Sequence, residues 1–385
     1  MIKTNKFKNL LLFVVAIIFS VFCGKADKNI KNPKKVLALY LTKNVGDIIF
    51  ATPVFRALKE NYPSCKLYVI GSLKNKETLA YNQDVYEYII CPDTIFKLWK
   101  IIRRLNVDYA LLFATSSFEI TLLYLANIPS ISVFSLQNTT DSTRIYKIIK
   151  RFCIQIPFYS GQNFARQNLN LLIPLGINSN NTKKHLFHSK QAELSMLEFF
   201  RKNKIVPHKD LIIAVAPGAG TKIKQWPADR FGQLADYLFK KYNIPIFVVG
   251  GPGDKKEFEA MRFSTSKETP IISCLGHSID ELKAFISNID IMIANDSAPT
   301  HIAESYGKAT VTIIGPTDEK EHIQEGKFNK IVKWDKRGSP TLPSMSPIDY
   351  DKNVAREQIE SISISQVAQA VDELIKDLKI TSQLK

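Results

Sequence analysis

Three stretches of the chain put ionisable side chains where an apolar run gives way to a helical pattern, and each suits the handling of a phosphate or a hydroxyl proton. The first is Gly46-Asp47, which follows the apolar run 36–41. A carboxylate at such a junction faces the N–H groups and positive dipole end of the helix, which favours its ionised form. It also lines the crevice where open sheets bind ligands, so Asp47 can accept a proton from a substrate hydroxyl; the plainer alternative is that it only caps its helix. The second stretch is PGAGTKIKQWP, 217–227. Gly218 and Gly220 let backbone approach a phosphate, with Ala219 and Thr221 in the same loop, and either Lys224 or Lys222 supplies an ammonium to neutralise it.

The third stretch, 289–318, reads as a strand ending in Asn295-Asp296-Ser297 and a helix from Pro299 to Tyr306. Asp296 or Ser297 serves as N-cap, Ala298 and Pro299 open the helix, Gly307 closes it, and 309–314 is the next strand. A strand, a polar turn and a helix N-terminus make an anion site, and phosphate is the expected ligand. His301 lies close enough to the helix start to reach the same pocket. After the Gly-rich turn 250–253, Asp254 or Glu257 could bind ribose hydroxyls.

These stretches need a scaffold that brings strand ends together. From residue 36 onward the chain alternates strand, turn and helix, with strands at 36–41, 67–70 and 109–113 and a helix expected over 48–61. Between 129 and 160 the pattern blurs and no motif is placed. A second series begins at 211, with strands at 211–216, 246–249 and from 271, and helices at 230–242 and 280–287. Such alternation means parallel sheets covered by helices, and 385 residues suffice for two cores. The polar segment 178–210, with a helix inside it, is the expected linker. In the tail, Val367, Ala370, Val371, Leu374 and Leu378 share one helix face, and the first domain's surface is the expected partner.

Composition excludes some functions. Net charge is +16, of which +7 falls in the first 35 residues, so the remainder is only modestly basic; without a zinc-finger or RNP pattern, nucleic acid is not an expected partner. The five cysteines are scattered, and neither CxxC nor HExxH occurs, so no disulfide framework or metal site is indicated. Residues 10–22 (LLLFVVAIIFSVF) form an apolar run flanked by lysines. As a helix it extends about 20 Å, short of a hydrocarbon core of about 30 Å. A secretory signal and a buried core helix compete with a membrane-surface anchor, the preferred reading, which places apolar residues among the acyl chains and lysines on anionic headgroups.

Taken together and in order, GDIIFATPVFRALKENYP, PGAGTKIKQWP, VVGGPGD and NDSAPTHIAESYGKATVTIIGPTD resemble glycosyltransferase family 9, the heptosyltransferase family of lipopolysaccharide core assembly. The resemblance implies an α/β, GT-B architecture: two Rossmann-like domains facing across a cleft, acceptor on the first and nucleotide-sugar on the second, with an N-terminal hydrophobic helix added here. The boundaries it suggests are 1–35 for the membrane-associating segment, 36–190 and 191–350 for the domains, and 351–385 for a helix packing back on the first domain. By position, Asp47 matches the family's catalytic base and Lys224 the lysine on the donor phosphates. Gly218, Ala219, Thr221, Asp296, Ser297, Ala298 and His301 match the donor site, Asp254 an acidic residue near the nucleoside, and Gly46 and Lys43 the acceptor side. Ala219 and Gly220 stand where some relatives carry hydroxyl residues, and after Asp318 the chain lacks a cysteine-containing loop, which leaves the donor open between ADP-heptose and another nucleotide-sugar.

The implied reaction is inverting, metal-independent and cofactor-free transfer of heptose or a related sugar to a lipid-linked or cell-envelope glycan. The expected location is cytoplasmic, peripheral at the inner face of the cytoplasmic membrane. A nucleotide-sugar epimerase or hydrolase of the same fold, or an exported binding lipoprotein, are the alternatives.

Overall fold

The computed structural model describes residues 14, 25–26, 30–42, 44–137, 143–324, 326–342 and 350–383. Apart from residue 14, the N-terminal apolar run lies outside them, as does Lys43. Among the described residues no helix is long and apolar enough to cross a membrane. The chain divides into two compact units at Lys184/His185, inside the polar segment read as a linker.

Among the described residues the first unit carries six strands: β1 (Lys35–Tyr40), β2 (Lys66–Gly71), β3 (Glu87–Ile90), β4 (Tyr109–Leu112), β5 (Ser130–Leu136) and β6 (Ile154–Phe158). They form one parallel sheet in the order β3-β2-β1-β4-β5-β6, the doubly wound arrangement whose order reverses between β1 and β4. β1 reads KVLALY and β4 YALL, buried along nearly their whole length, because a parallel sheet is covered on both faces. Helices α1 (Val45–Ile49), α2 (Thr52–Asn61), α3 (Leu73–Leu79), α4 (Ile95–Leu105), α5 (Ser117–Leu125), α6 (Arg144–Ile149) and α7 (Phe164–Asn170) provide the cover.

The helix expected over 48–61 is two helices. Pro53 sits in the first turn of α2, where its missing N–H costs nothing, and the Thr52 hydroxyl donates to Ile49 O at 2.8 Å across the break. In the blurred region the chain forms β5, α6 and β6. β6 is an edge strand with partly exposed residues, which explains why no continuous apolar run announced it.

The second unit repeats the plan with β7 (Ile213–Ala216), β8 (Ile246–Val248), β9 (Ile271–Ser273), β10 (Ile291–Asn295), β11 (Ala309–Ile313) and β12 (Asn329–Val332). The parallel order is β12-β11-β10-β7-β8-β9, so its reversal falls between β7 and β10. Its helices are α8 (Lys190–Lys202), α9 (Ala228–Tyr242), α10 (Lys255–Ser264), α11 (Ile279–Ser287), α12 (Ala298–Ser305), α13 (Glu319–His322), α14 (Lys352–Glu360) and α15 (Ile364–Gln383).

Two expectations are corrected here. The helix inside the polar segment, α8, is no free connector: Ser189 caps it and donates its hydroxyl to Asp280 at 2.7 Å, while Phe200 stacks on Phe285 with centroids 5.2 Å apart. The apolar face of the tail helix α15, expected to lie on the first domain, is taken up within the second unit. Val367, Val371, Leu374 and Ile375 are buried in the second unit's own core with Phe231, Leu238, Val311 and Ile313, each such side chain worth about 1.5–3 kcal/mol. The apolar stripe was legible, but the open face of α9, β11 and β12 that receives it depends on tertiary structure.

Candidate active site

In the second unit the sequence candidates gather at the carboxyl ends of β7, β8 and β10, where a doubly wound sheet binds its ligand. Asn295, the last residue of β10, organises the backbone there. Its side-chain amide donates to Pro217 O at 2.9 Å and its carbonyl accepts from Trp226 N at 2.9 Å, so one side chain holds both ends of the loop after β7. Trp226 is fully buried and donates its indole N–H to Ile362 O at 2.9 Å. The segment between α14 and α15 therefore braces the short 3-10 turn Lys222–Lys224. Ala219 is half-buried, Gly220, Thr221 and Lys222 are exposed, and Lys224 turns inward.

Of the two lysines, Lys224 is the one paired inside the site: its Nζ lies 2.7 Å from Asp296 Oδ2. Asp296 is only 4% exposed. The same oxygen accepts from the Thr317 hydroxyl at 2.9 Å and meets His322 Nδ1 at 3.1 Å, while His301 Nε2 stands 3.6 Å from Oδ1. Burial opposes ionisation of this carboxyl, but His322, Lys224 and His301 outweigh it and hold the group well below the usual carboxylate range. Asp296 is thus an anchor for positive groups. His301 lies between two acids, with Nδ1 3.1 Å from Glu304 Oε2, and belongs to this buried network.

Ser297 occupies the N-cap of α12, but its hydroxyl turns back to Asn295 O at 3.2 Å and does not cap. Ser297 and Ala298 are half-buried at that helix start. Asp254 ends the turn Pro252–Asp254 and accepts from Gly251 N at 2.7 Å. Its carboxylate lies against Gly218, so a side chain at 218 would require the Asp254 carboxylate to move.

Sequence reasoning missed Thr317 and His322. Both come from the turn and short helix α13 that follow β11, the strand beside β10. Arg337 fixes that turn by donating to Gly315 O at 2.8 Å and Thr317 O at 3.1 Å and by pairing with Glu319. Burial opposes ionisation of Glu319, yet Lys333 and Arg337 bring its pKa down to about 2. The signal available was GPTD directly after a strand, four residues before a histidine.

In the first unit, Asp47 stands in the first turn of α1, directly after β1, half-buried and accepting from Asn44 Nδ2 at 2.9 Å. Gly46 precedes it in the same turn, also half-buried. Across the β1/β4 reversal, in the first turn of α5, lies a second acid that the sequence did not single out. Glu119 is 7% exposed and one of its carboxyl oxygens has no hydrogen-bond partner. Burial pushes its pKa up to about 8, so it is neutral at pH 7. Tyr40 ends β1 near both acids, and its hydroxyl is pushed up by burial first and then by Asp47 and Glu119. Ser116-x-x-Glu119 has capping-box spacing, but the Glu119 side chain is turned into the protein instead.

Residues 95–343 match the sequence model of Glycosyltransferase family 9 (heptosyltransferase). The chain is 24% identical over 350 residues to lipopolysaccharide heptosyltransferase 3 of Escherichia coli, covering 86% of this chain and 96% of that one. Among solved structures it is similar to the glycosyl transferase family 9 protein of Veillonella parvula, with a TM-score of 0.73 at 20% identity over 91% of this chain and 99% of that one. It is also similar to the E. coli ADP-heptose lipopolysaccharide heptosyltransferase II, with a TM-score of 0.70 at 16% identity over 90% and 99%. These structural likenesses speak for the fold.

Proposed function

The chain belongs to glycosyltransferase family 9, the heptosyltransferase family, and from that premise we propose an inverting, metal-independent transfer of heptose or a related sugar from a nucleotide-sugar to a hydroxyl of a lipid-linked lipopolysaccharide-core glycan. The Asp47 carboxylate takes the proton of the acceptor hydroxyl as its oxygen bonds to the anomeric carbon. The bond from that carbon to the diphosphate breaks on the opposite face, and the electron pair leaves with the nucleoside diphosphate. Charge growing on the departing oxygens is met by the Lys224 ammonium and the N-terminal turn of α12, a preorganised arrangement that needs no solvent to rearrange. Asp296, His301 and His322 act through Lys224 by fixing the field in which it sits. Asp254, beside Gly218, is placed to receive nucleoside hydroxyls. ADP-heptose is the donor proposed, by likeness to the E. coli relative whose name carries it.

The observation that carries this reading is the Lys224–Asp296 pair, 2.7 Å long, at the strand-order reversal of the second unit. An ammonium anchored on a buried carboxylate beside a glycine turn and a helix start suits a diphosphate leaving group. Such chemistry belongs at the cytoplasmic face of the membrane, where nucleotide-sugars are available. The test incubates the full chain with ADP-heptose and core lipopolysaccharide that lacks heptose, with and without a chelator, and follows acceptor mass. A gain of one heptose with inverted anomeric configuration in both samples is expected. Donor turnover without any acceptor would assign an epimerase or hydrolase instead.

A further inference from the structure

The carboxyl ends of β2 and β3 form an apolar, lysine-bearing rim beside the Asp47 turn. Gly71 and Ile90 are paired in register, and Cys91 N donates to Gly71 O at 2.8 Å, so the turns leaving both strands start side by side. These turns lead into α3 and α4, and the first residues of both helices therefore lie at that end of the sheet. Three large apolar side chains are exposed there: Leu73 at the start of α3 (56%), Ile90 at the end of β3 (44%) and Phe96 in the first turn of α4 (61%). Single exposed apolar residues are ordinary, whereas several on one rim mark a binding surface. Phe96 stacks on Trp99 with centroids 6.0 Å apart and an interplanar angle of 18°, and Lys100 Nζ lies 4.3 Å over its ring. Lys74, Lys76, Lys97 and Lys100, on the same two helices, are exposed. The acids among them are Glu77 and Asp93, the latter pairing with Lys97 at 3.1 Å.

We infer that this rim docks on an anionic lipid surface, with Leu73, Ile90 and Phe96 entering the headgroup and acyl boundary and the lysines meeting lipid phosphates. Charge complementarity decides the occupant: apolar tips on helices that also carry an excess of exposed ammonium groups suit a layer that offers hydrocarbon beneath negative charge. Apolar side chains accompanied by lysines are poorly suited to a dry protein interface, whose centre is depleted of charge. The rim stands at the same end of the sheet as Asp47, because β1 pairs with β2 and runs parallel to it. A hydroxyl on a lipid-linked glycan would then reach Asp47 from the surface on which the unit rests. This inference deepens the reading of a lipid-borne acceptor and rests on it for its biological use, though docking itself does not require the acceptor.

The experiment uses the full chain and a variant combining Phe96→Ser, Lys97→Glu and Lys100→Glu, with vesicles of phosphatidylglycerol or of phosphatidylcholine and no acceptor. Contacts with one surface add in free energy, so the effect is readable whatever other segment also binds. The wild-type chain is expected to sediment with the anionic vesicles in preference to the neutral ones, and the variant to bind the anionic vesicles at least tenfold more weakly. Equal binding of variant and wild type overturns the inference. Salt-resistant self-association without vesicles, lost in the variant, also overturns it by assigning the rim to a second copy. A second arm measures transfer to a water-soluble, deacylated acceptor and to the same acceptor in vesicles. The variant should keep the first rate and lose the second at least fivefold. Absence of transfer to either acceptor by the wild-type chain would instead count against the proposed reaction, leaving the docking result to stand by itself.

Discussion

Replacing Glu119 with glutamine tests whether the first unit carries a neutral buried carboxyl at the end of the sheet where Asp47 stands. Burial raises the Glu119 pKa from 4.5 to about 8 on folding. The folded chain therefore keeps a proton that the unfolded chain gives up between these two values. Stability from this group is fully present below pH 4.5 and is lost as pH rises towards 8, at most about 1.4 kcal/mol per pH unit. Between pH 5 and pH 8 the loss amounts to about 3 kcal/mol. Glutamine cannot ionise, so the variant lacks this decline, although its buried amide costs about 1–3 kcal/mol at every pH. The stability curves should therefore cross: the variant is the weaker protein at pH 5 and gains on the wild type up to pH 8. Hydrogen exchange of the β1 and β4 amides, corrected for intrinsic rates, reports on this unit alone. Curves that run parallel, with a relative change below about 1 kcal/mol over that range, would refute the assignment of a protonated buried carboxyl.

Lys224→Met should lower turnover at least a hundredfold, by analogy with the loss of one preorganised donor, and should destabilise the second unit by about 2–4 kcal/mol because buried Asp296 loses a partner while His322 and Thr317 remain; kinetics and urea unfolding check both. Gly218→Ala drives a methyl group into the Asp254 carboxylate, and donor affinity measured by calorimetry should fall about tenfold, or 1.4 kcal/mol, with the second unit still folded. Truncation after residue 363 removes Val367, Val371, Leu374 and Ile375 from the second core, so exchange protection of β7, β11 and β12 should collapse while that of β1 and β4 persists.

Much of this arrangement was legible because strands buried on both faces must be short apolar runs, and the turns after them carry glycine, proline and capping residues. The stretches around Asp47, Gly218, Lys224 and Asp296 announced themselves in that way, and the last three meet at one end of one sheet. Sequence spacing could not choose Lys224 over Lys222, since the choice depends on Asp296 arriving from 72 residues away. Thr317 and His322 were hidden for the same reason: their turn is placed by Arg337 and by the pairing of β10 with β11. Nothing in the sequence singled out Glu119, because its chemistry comes from burial, which only the folded unit supplies. The tail's apolar face was visible, whereas the surface that receives it exists only once α9, β11 and β12 are folded.

The proposed sugar transfer requires Asp47 to act as its base. Asp47→Asn keeps the size and the contact with Asn44 within reach while removing the ability to take a proton. Single-turnover transfer from ADP-heptose, measured with donor binding on the same sample, should show transfer lost by at least a thousandfold and donor affinity within a factor of two of the wild type. Transfer by the asparagine variant at the wild-type rate would contradict that role.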